Sequence, residues 1–382
     1  MGKSERDQKK QWGLFFCCII FVTLVMVCYY LPPGFRFGTN DDCVAPYYAD
    51  NSTDRVKTIL FWTTWFGQKV EIDFGICPVS NCRLINDRRL LTESDAIVFH
   101  FHTSDSLTRL PTCRRPDQRY IFFNFESPIN AQAKSRKIYE KLPHHFFNWT
   151  ATYRFDSDLF RNQFYGFEFH PKTNPHTIRP NFSDYYGIDI TTKNKTVAWF
   201  ASNCKTANDR EGYVKELEKY IQVDVFGKCS AHPKSCPRTK QNDCNEMLKN
   251  DYLFHLSFEN SFCPDYVTEK LYKAFETGTV PVVFGGANYS LFAPPHSYIN
   301  ARDFKTPQLL AEYLLQLSRD LDRYSYYFDW RGEFNMEQHP AEPWCKLCEM
   351  INDPTIQPRN YPDIQKWWFE ERPCEHFKYK FD

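Results

Sequence analysis

Short apolar runs alternate with amphipathic segments along most of this chain. Runs of about four to eight apolar residues are typical of strands buried in parallel sheets, and apolar residues that repeat at the helical period indicate helices. Strands are predicted at 58–65, 96–101, 120–125, 196–201, 223–226, 252–258 and 279–284, and helices at 210–221, 266–277 and 307–327. The alternation predicts an α/β fold with parallel sheets.

The segment 252–286 contains a complete strand–helix–strand unit. Asp265 is expected to cap its helix, and Gly278 stands where a left-handed residue usually ends one. The expected buried face carries Val267, Leu271, Ala274 and Phe275, and the outward face carries Tyr266, Glu269, Lys270 and Lys273. Because the helix begins beyond the carboxyl end of a strand, Lys270 and the first N–H groups are placed to meet an anion. An ordinary solvated helix face is the alternative.

The composition fits a globular chain with a length typical of two domains. The 382 residues are 42% hydrophobic and 18% aromatic, which is enough for sizeable cores. Lys and Arg together number 47, and so do Asp and Glu, so bulk attraction to nucleic acid or anionic lipid is not indicated. Basic residues are therefore expected to act locally.

A segment near the N-terminus has the character of a membrane anchor. Residues 14–31 are apolar or uncharged, and no small-residue cleavage site follows them. Positive charges outnumber negative ones before this segment, and the next charge after it is Arg36. The positive-inside rule then leaves the N-terminus in the cytosol and the remainder in the lumen. A cleaved secretory signal is the alternative.

These patterns divide the chain into six segments. They are a cytoplasmic tail at 1–13, a transmembrane signal anchor at 14–31, a stem at 32–56, an N-terminal domain at 57–190, a C-terminal domain at 191–350, and a tail at 351–382 that packs back on the fold. The crossing between the two domains is expected within 171–195, which is rich in sequence breakers.

Glycosylation and cysteine patterns both favour the lumen. Five glycosylation sequons begin at Asn51, Asn148, Asn181, Asn194 and Asn288. Three of the fifteen cysteines lie in the anchor, and the remaining even number favours disulfides in an oxidising compartment. Zinc is the alternative for Cys345 and Cys348, whose spacing suits a metal and to which Cys77 and Cys82 could add two sulfurs.

Candidate chemistry appears at the end of a strand in the first half of the chain. Glu126 follows the apolar strand 120–125 and precedes Pro128, so its carboxylate is expected at the edge of a sheet. Such a group could take a proton from a sugar hydroxyl, although a structural Glu is the simpler interpretation. Asp156 and Asp158 form an Asp-x-Asp pair, which could instead hold Mn²⁺ and a nucleotide diphosphate.

Four motifs together resemble the alpha-1,3-fucosyltransferase family of the secretory pathway. They are FFNFESP at 122–128, YRFDSD at 153–158, FASNC at 200–204 followed by Arg210, and FENSFCPDYVTEKLYKAF at 258–275. The resemblance covers about residues 57 to 350, and the last motif is highly specific. Cys229, Cys236 and Cys244 are similar to the pattern of invertebrate members.

The resemblance implies a type II Golgi membrane enzyme with two Rossmann-like domains facing a cleft, an arrangement of the GT-B type. The first domain would bind the acceptor and the second GDP-fucose, from which L-fucose passes with inversion to O3 of N-acetylglucosamine in glycoprotein glycans. Glu126 would be the general base, and Arg210 and Lys270 would neutralise the diphosphate. Asn260, Tyr266 and Glu269 would contact the nucleotide or fucose.

Several points remain open at this stage. No metal is expected to be essential, although Mn²⁺ stimulation is not decided by the sequence. The alternatives are a metal-dependent glycosyltransferase that uses another nucleotide sugar and a catalytically inactive lumenal glycan-binding protein. For the cysteines, we predict that Cys345 and Cys348 are oxidised to Cys77 and Cys82. The exact acceptor and the oligomeric state are also open.

Overall fold

The computed structural model describes residues 55–101, 110–131, 139–159, 167–175, 188–230, 241–338 and 342–375. The expected cytoplasmic tail and anchor, nearly all of the stem, and the sequons at Asn51 and Asn181 lie outside these ranges. Within the described ranges, no helix is both long enough and apolar enough to cross a membrane.

Twelve strands occur in the described ranges. They are β1 (Lys57–Phe61), β2 (Cys82–Ile85), β3 (Ala96–His100), β4 (Arg119–Asn124), β5 (Trp149–Thr152), β6 (Phe167–Pro171), β7 (Lys195–Phe200), β8 (Val223–Phe226), β9 (Tyr252–Phe258), β10 (Val280–Phe284), β11 (Ile299–Asn300) and β12 (Phe334–Gln338). They form two five-stranded sheets and one two-stranded sheet.

The two large sheets are entirely parallel. The first has the order β2-β1-β3-β4-β5 and the second the order β11-β10-β9-β7-β8. The small sheet pairs β6 with β12 in antiparallel fashion. Both large sheets belong to one packing unit. The α/β prediction with parallel sheets is therefore confirmed.

The α-helices of the elements described lie mainly in the second half of the chain. They are α1 (Arg210–Leu217), α2 (Gln241–Asp251), α3 (Glu269–Glu276), α4 (Pro307–Arg319), α5 (Leu321–Ser325), α6 (Trp330–Glu333), α7 (Glu342–Asn352) and α8 (Ile364–Phe369). Short 3₁₀ helices occur at Phe74–Ile76, Arg88–Glu93, Tyr289–Leu291, Ala301–Asp303 and Tyr326–Phe328.

Strand predictions succeeded where apolar runs are continuous. β8 and β9 have the predicted bounds, and every residue of β9 is buried, as expected for a central parallel strand. β2, β5, β6, β11 and β12 were not predicted. The helix predicted at 307–327 is broken at Asp320, whose carboxylate accepts from the N–H of Arg323 and starts α5.

The start of α3 corrects the capping prediction for Asp265. The helix begins at Glu269, with Thr268 in the cap position. Asp265 has a φ of 61° and its carboxylate binds Arg372, so it caps nothing. A distant arginine thus outcompetes the local cap. Gly278 does have the predicted left-handed conformation, with a φ of 60°.

The end of the chain returns to the first sheet. Trp344 of α7 packs on Phe61 of β1 and Phe123 of β4, with ring centroids 5.5 and 5.4 Å apart. α7 therefore completes the core of the first sheet, although the sequence placed it in the C-terminal domain 191–350. Trp368 of α8 lies against Phe122 of β4, with ring centroids 5.4 Å apart.

Candidate active site

Glu126 lies two residues beyond the carboxyl end of β4. Its backbone N–H donates to Oδ1 of Asn124, the last residue of the strand, over 3.0 Å. Asn124 is fully buried, whereas Glu126 is half-buried. This turn therefore holds the Glu126 backbone while part of its carboxylate remains accessible.

One oxygen of Glu126 accepts four hydrogen bonds. Oε1 accepts from the Tyr266 hydroxyl at 2.7 Å, the Ser127 N–H at 3.0 Å, and the amides of Asn130 and Asn260 at 3.1 and 3.3 Å. Burial alone would raise the pKa of Glu126, but these donors outweigh it and lower the pKa below its ordinary value. Glu126 is consequently an anion at neutral pH.

Two of the four donors come from the turn that follows β9. Asn260 and Tyr266 are separated from Glu126 by 134 and 140 residues in sequence. A hydrogen bond of 2.7 Å between the buried hydroxyls of Ser127 and Ser261 joins the same two turns. The carboxyl ends of β4 and β9 are thus held together by direct contacts.

Tyr266 does not lie on the outward face that the helical spacing predicted. It precedes α3, and only 2% of its surface is exposed. Its ring packs against that of Tyr153 at a centroid distance of 4.8 Å. Asn260 has a buried Oδ1 that accepts no hydrogen bond from the described residues.

Lys270 is held by the buried carboxylate of Glu259, which was not among the predicted site residues. Its Nζ donates to Oε2 of Glu259 at 3.2 Å, to the Thr268 hydroxyl at 2.6 Å and to Glu269 at 3.3 Å. Burial would lower the pKa of Lys270, but the Glu259 and Glu269 carboxylates raise it above its ordinary value. Lys270 is therefore a fixed cation at the start of α3.

Glu259 and Glu269 have opposite environments. Only 1% of the Glu259 side chain is exposed, and both of its oxygens accept from the Thr268 hydroxyl. Glu269 is 64% exposed, and Lys270 is its partner. Glu259 therefore pairs with Lys270 on the buried side of the site, while Glu269 faces solvent.

Arg210 is more buried than a direct phosphate ligand would lead one to expect. Only 3% of it is exposed, and its terminal nitrogens donate to the carbonyls of Phe258 and Asn203 at 2.6 and 3.2 Å. Since Phe258 ends β9, Arg210 fixes the start of the turn that carries Glu259 and Asn260. Each terminal nitrogen has a second N–H that could donate to an anion.

The Asp-x-Asp pair is engaged in local structure. Asp156 accepts two hydrogen bonds from Arg154, at 2.8 and 2.6 Å. Asp158 accepts from the Tyr361 hydroxyl at 2.7 Å and from the Thr150 N–H at 2.8 Å. In the part of the chain that the structure describes, no group of three His, Cys, Asp or Glu residues is arranged to hold a metal ion.

The cysteines named in the sequence analysis form two neighbouring disulfides. Cys77 is bonded to Cys345 and Cys82 to Cys348, which ties α7 to the first sheet. Two further described bridges join Cys204 to Cys229 and Cys263 to Cys374.

The three described sequons differ in exposure. Asn194 and Asn288 are exposed. Asn148 is buried, and its side chain accepts from the Tyr120 N–H and donates to Asn360, both at 2.8 Å. A glycan on Asn148 would require this amide to leave its partners.

Sequence reasoning missed the residues that organise the site from a distance. Glu259 lies within the recognised motif but was not distinguished, although its position at a strand end was the same signal that identified Glu126. Asn130 and Arg372 had no local signal, because their roles depend on contacts across the fold.

Both halves of the chain are similar to known proteins. Residues 54–165 match the family described as "Fucosyltransferase, N-terminal", and residues 190–367 match "Glycosyltransferase family 10 (fucosyltransferase) C-term". Alpha-(1,3)-fucosyltransferase C of Drosophila melanogaster is 38% identical, over 82% of this chain and 78% of that protein. A 4-galactosyl-N-acetylglucosaminide 3-alpha-L-fucosyltransferase of Pongo pygmaeus is 33% identical, over 90% of this chain and 94% of that protein.

A solved structure supports the fold. The crystal structure of an alpha1,3-fucosyltransferase with GDP-fucose superposes with a TM-score of 0.50 at 15% identity, over 84% of this chain and 97% of that chain. With both halves of the chain matched and relatives that align over most of their length, the protein belongs to glycosyltransferase family 10, the fucosyltransferases.

Proposed function

We propose that this protein transfers L-fucose from GDP-fucose, with inversion, to O3 of N-acetylglucosamine in glycoprotein glycans. The named substrates of its relatives support this choice of donor and linkage. The two parallel sheets act as two Rossmann-like domains of the GT-B type, of which the first binds the acceptor and the second GDP-fucose. The protein works in the Golgi lumen, anchored by residues 14–31.

The environment of Glu126 is the observation that carries the proposal. Four donors hold Oε1, whereas Oε2 accepts no hydrogen bond from the described residues. An anionic carboxylate with one oxygen fixed and the other open is suited to accept the O3–H proton. Its low pKa makes it a weak base, so we expect proton transfer to follow bond formation to the fucose carbon, when the hydroxyl has become acidic.

The donor side is served by the turn after β9 and the start of α3. As the bond from fucose to GDP breaks, negative charge grows on the diphosphate, and the fixed Lys270 cation stabilises that charge. Glu259 keeps Lys270 protonated and in place. Arg210 supports the same turn through the Phe258 carbonyl. Asn260, whose amide nitrogen donates to Glu126, contacts the nucleotide or fucose from the same turn.

The decisive experiment measures transfer by the full-length protein and its Glu126→Gln variant. Incubation with GDP-fucose and a panel of GlcNAc-terminated, LacNAc, LacdiNAc and core N-glycans should give an α-linked fucose on O3 of GlcNAc, located by NMR and mass spectrometry. Glu126→Gln should lower kcat by about 10²- to 10⁴-fold with little change in GDP affinity.

Glu93→Gln is the matched control. Glu93 is exposed and precedes β3, at the opposite end of the first sheet from Glu126. The Glu93→Gln protein should transfer fucose at the wild-type rate. A Glu126→Gln protein that retained more than about a third of the wild-type rate would refute the base assignment. Failure of the wild-type chain to use GDP-fucose would refute the proposed activity itself.

A further inference from the structure

The last described residues of the chain lie against the turn that leads to Tyr266. We call residues 370–375, which follow α8, the C-terminal clasp. Cys374 is bonded to Cys263, and the Glu375 N–H donates to the carbonyl of Phe262 over 2.7 Å. Arg372 donates to both oxygens of Asp265, with Nη2 3.1 Å from Oδ1. Three kinds of contact thus fix residues 262–265 from the far end of the chain.

Asp265 needs this support because its backbone is in an uncommon conformation. A φ of 61° is rare for a residue with a side chain and persists only where surrounding contacts enforce it. Asp265 is buried, and besides Arg372 its carboxylate accepts from the N–H of Phe155 at 3.2 Å. Arg372 therefore supplies the compensating charge for a buried carboxylate at a strained position.

The direction of Tyr266 depends on the residue before it. Its ring is packed on Tyr153, whose ring in turn packs on Trp368 of α8 at 5.6 Å. Its hydroxyl donates to Glu126 over 2.7 Å. A change of backbone conformation at Asp265 would rotate this side chain away from the carboxylate.

We propose that Arg372 is a positioning residue for the transfer reaction, which acts by holding Asp265 so that the Tyr266 hydroxyl stays on Glu126. This inference rests on the proposed function, because it matters for turnover only if Glu126 receives the acceptor proton.

A pH–rate profile distinguishes this role from general support of the fold. Glu126 is faced by Tyr266, Asn260, Asn130 and the Ser127 N–H, and Tyr153 lies behind Tyr266. Burial raises the pKa of Tyr153, which therefore stays neutral. The charged groups around Tyr153, beside Glu126, are Arg154, Asp265 and Arg372. Loss of the Tyr266 hydrogen bond should raise the pKa of Glu126 and move the acidic limb of the profile to higher pH.

The test compares Arg372→Ala, Tyr266→Phe and the double variant in the full-length protein. Each single variant should lower kcat at neutral pH by about two- to tenfold, as expected for one lost hydrogen bond, and shift the acidic limb upward. The double variant should show no more loss than Tyr266→Phe alone, because Arg372 acts through that hydroxyl. Glu375→Gln is the matched control. It removes the exposed ion pair with Arg302 but retains the clasp backbone, and should leave the profile unchanged.

Additive losses in the double variant, or an unshifted acidic limb in Arg372→Ala, would overturn the inference. If Arg372→Ala does not melt cooperatively, Arg372→Lys replaces it in the test. This variant keeps the positive charge but loses one of the two contacts with Asp265, and it must show the same upward shift of the acidic limb. A wild-type chain that transfers no fucose would refute the proposed function and this inference together. Normal wild-type transfer with a normal Arg372→Ala profile would refute this inference alone.

Discussion

The hydroxyl of Tyr266 donates to Oε1 of Glu126 across 2.7 Å, although 140 residues separate them in sequence. The contact joins the turn after β9 of the second sheet to the turn after β4 of the first. The carboxylate proposed as the base is therefore held by the half of the protein that is proposed to hold the donor. A substitution in the half proposed to bind the donor should therefore change the pKa of Glu126, which lies in the half proposed to bind the acceptor.

The first prediction concerns pH. The donors around Glu126 lower its pKa from an ordinary value of 4.5, so the carboxylate stays charged below that pH. Its contribution to stability is present above the ordinary pKa and is lost as the pH falls through the lowered folded value. We expect that protonation of Glu126 does not reduce kcat/KM as the pH is lowered to about 5.

Asn130→Ala tests the cause of that behaviour. The variant removes one donor, at 3.1 Å, and should move the acidic limb to higher pH. Asn174→Ala, at an exposed site, is the control and should match the wild type. An identical limb in Asn130→Ala would show that this hydrogen bond does not set the pKa of Glu126.

The second prediction separates the binding role of Lys270 from its role in stability. Lys270→Ala should weaken GDP binding and also cost about 3–5 kcal/mol in the free energy of unfolding, because the buried Glu259 loses its counter-charge. Lys270→Ala combined with Glu259→Gln should recover much of the stability but none of the GDP affinity. Calorimetry with GDP and thermal melts measure both. Recovery of affinity in the double variant would contradict the phosphate role of Lys270.

Lys270→Arg is a sharper version of the same test. A planar guanidinium cannot reproduce the contacts that the compact ammonium makes with Glu259, Thr268 and Glu269. We expect GDP binding to be partly retained and turnover to be reduced. Full turnover would mean that charge alone is sufficient at this position.

The third prediction follows from the two bridges that tie α7 to the first sheet. They span 268 and 266 residues, so either alone closes nearly the same loop of the unfolded chain. Replacing one pair by serine should cost only about 2–3 kcal/mol, whereas removing both should cost more than twice as much. Denaturant unfolding of the three variants decides this. Equal and additive losses would contradict a loop-closure origin.

The fourth prediction concerns glycosylation. Asn148→Gln should leave electrophoretic mobility unchanged but destabilise the protein by about 1–3 kcal/mol, because the buried N–H of Tyr120 loses its acceptor. The exposed sequon at Asn194 provides the comparison, since its Gln variant should melt normally. A mobility shift in Asn148→Gln would show that this amide is exposed to the glycosylation machinery during synthesis.

The fifth prediction is that turnover survives EDTA. The proposed scheme assigns the diphosphate charge to Lys270, while Asp156 and Asp158 already accept hydrogen bonds from Arg154 and Tyr361. Asp158→Asn should reduce thermal stability more than turnover of the folded protein. Loss of activity on chelation, restored by Mn²⁺, would favour the metal-dependent alternative.

Local patterns predicted the longer, mostly apolar strands and missed several that are shorter or more polar. β5 was not predicted because half of its residues are threonines. They are buried nevertheless, since the Thr150 and Thr152 N–H groups donate to Asp158 and Ser157. Burial of polar residues depends on partners that a hydrophobicity pattern does not reveal.

The site was also predictable only where a residue's role depends on its local sequence. Glu126 and Lys270 were found because strand ends and helix starts have local signals. Asp265 was assigned as a cap from the same kind of signal, yet Arg372, 107 residues away, determines its role. The Glu259–Lys270 pair was also within reach, because both residues lie in one motif. Contacts over a hundred residues are set by tertiary packing, which no local pattern specifies.

The return of α7 and α8 to the first sheet governs the order in which the chain can fold. Trp344, Leu347 and Trp368 fill positions against strands that are made more than two hundred residues earlier. During synthesis the second sheet can assemble as soon as it emerges, whereas the first must wait for the end of the chain. For most of its translation a growing polypeptide therefore lacks the α7 side chains that pack on Phe61 and Phe123, and a truncation before residue 344 removes that cover.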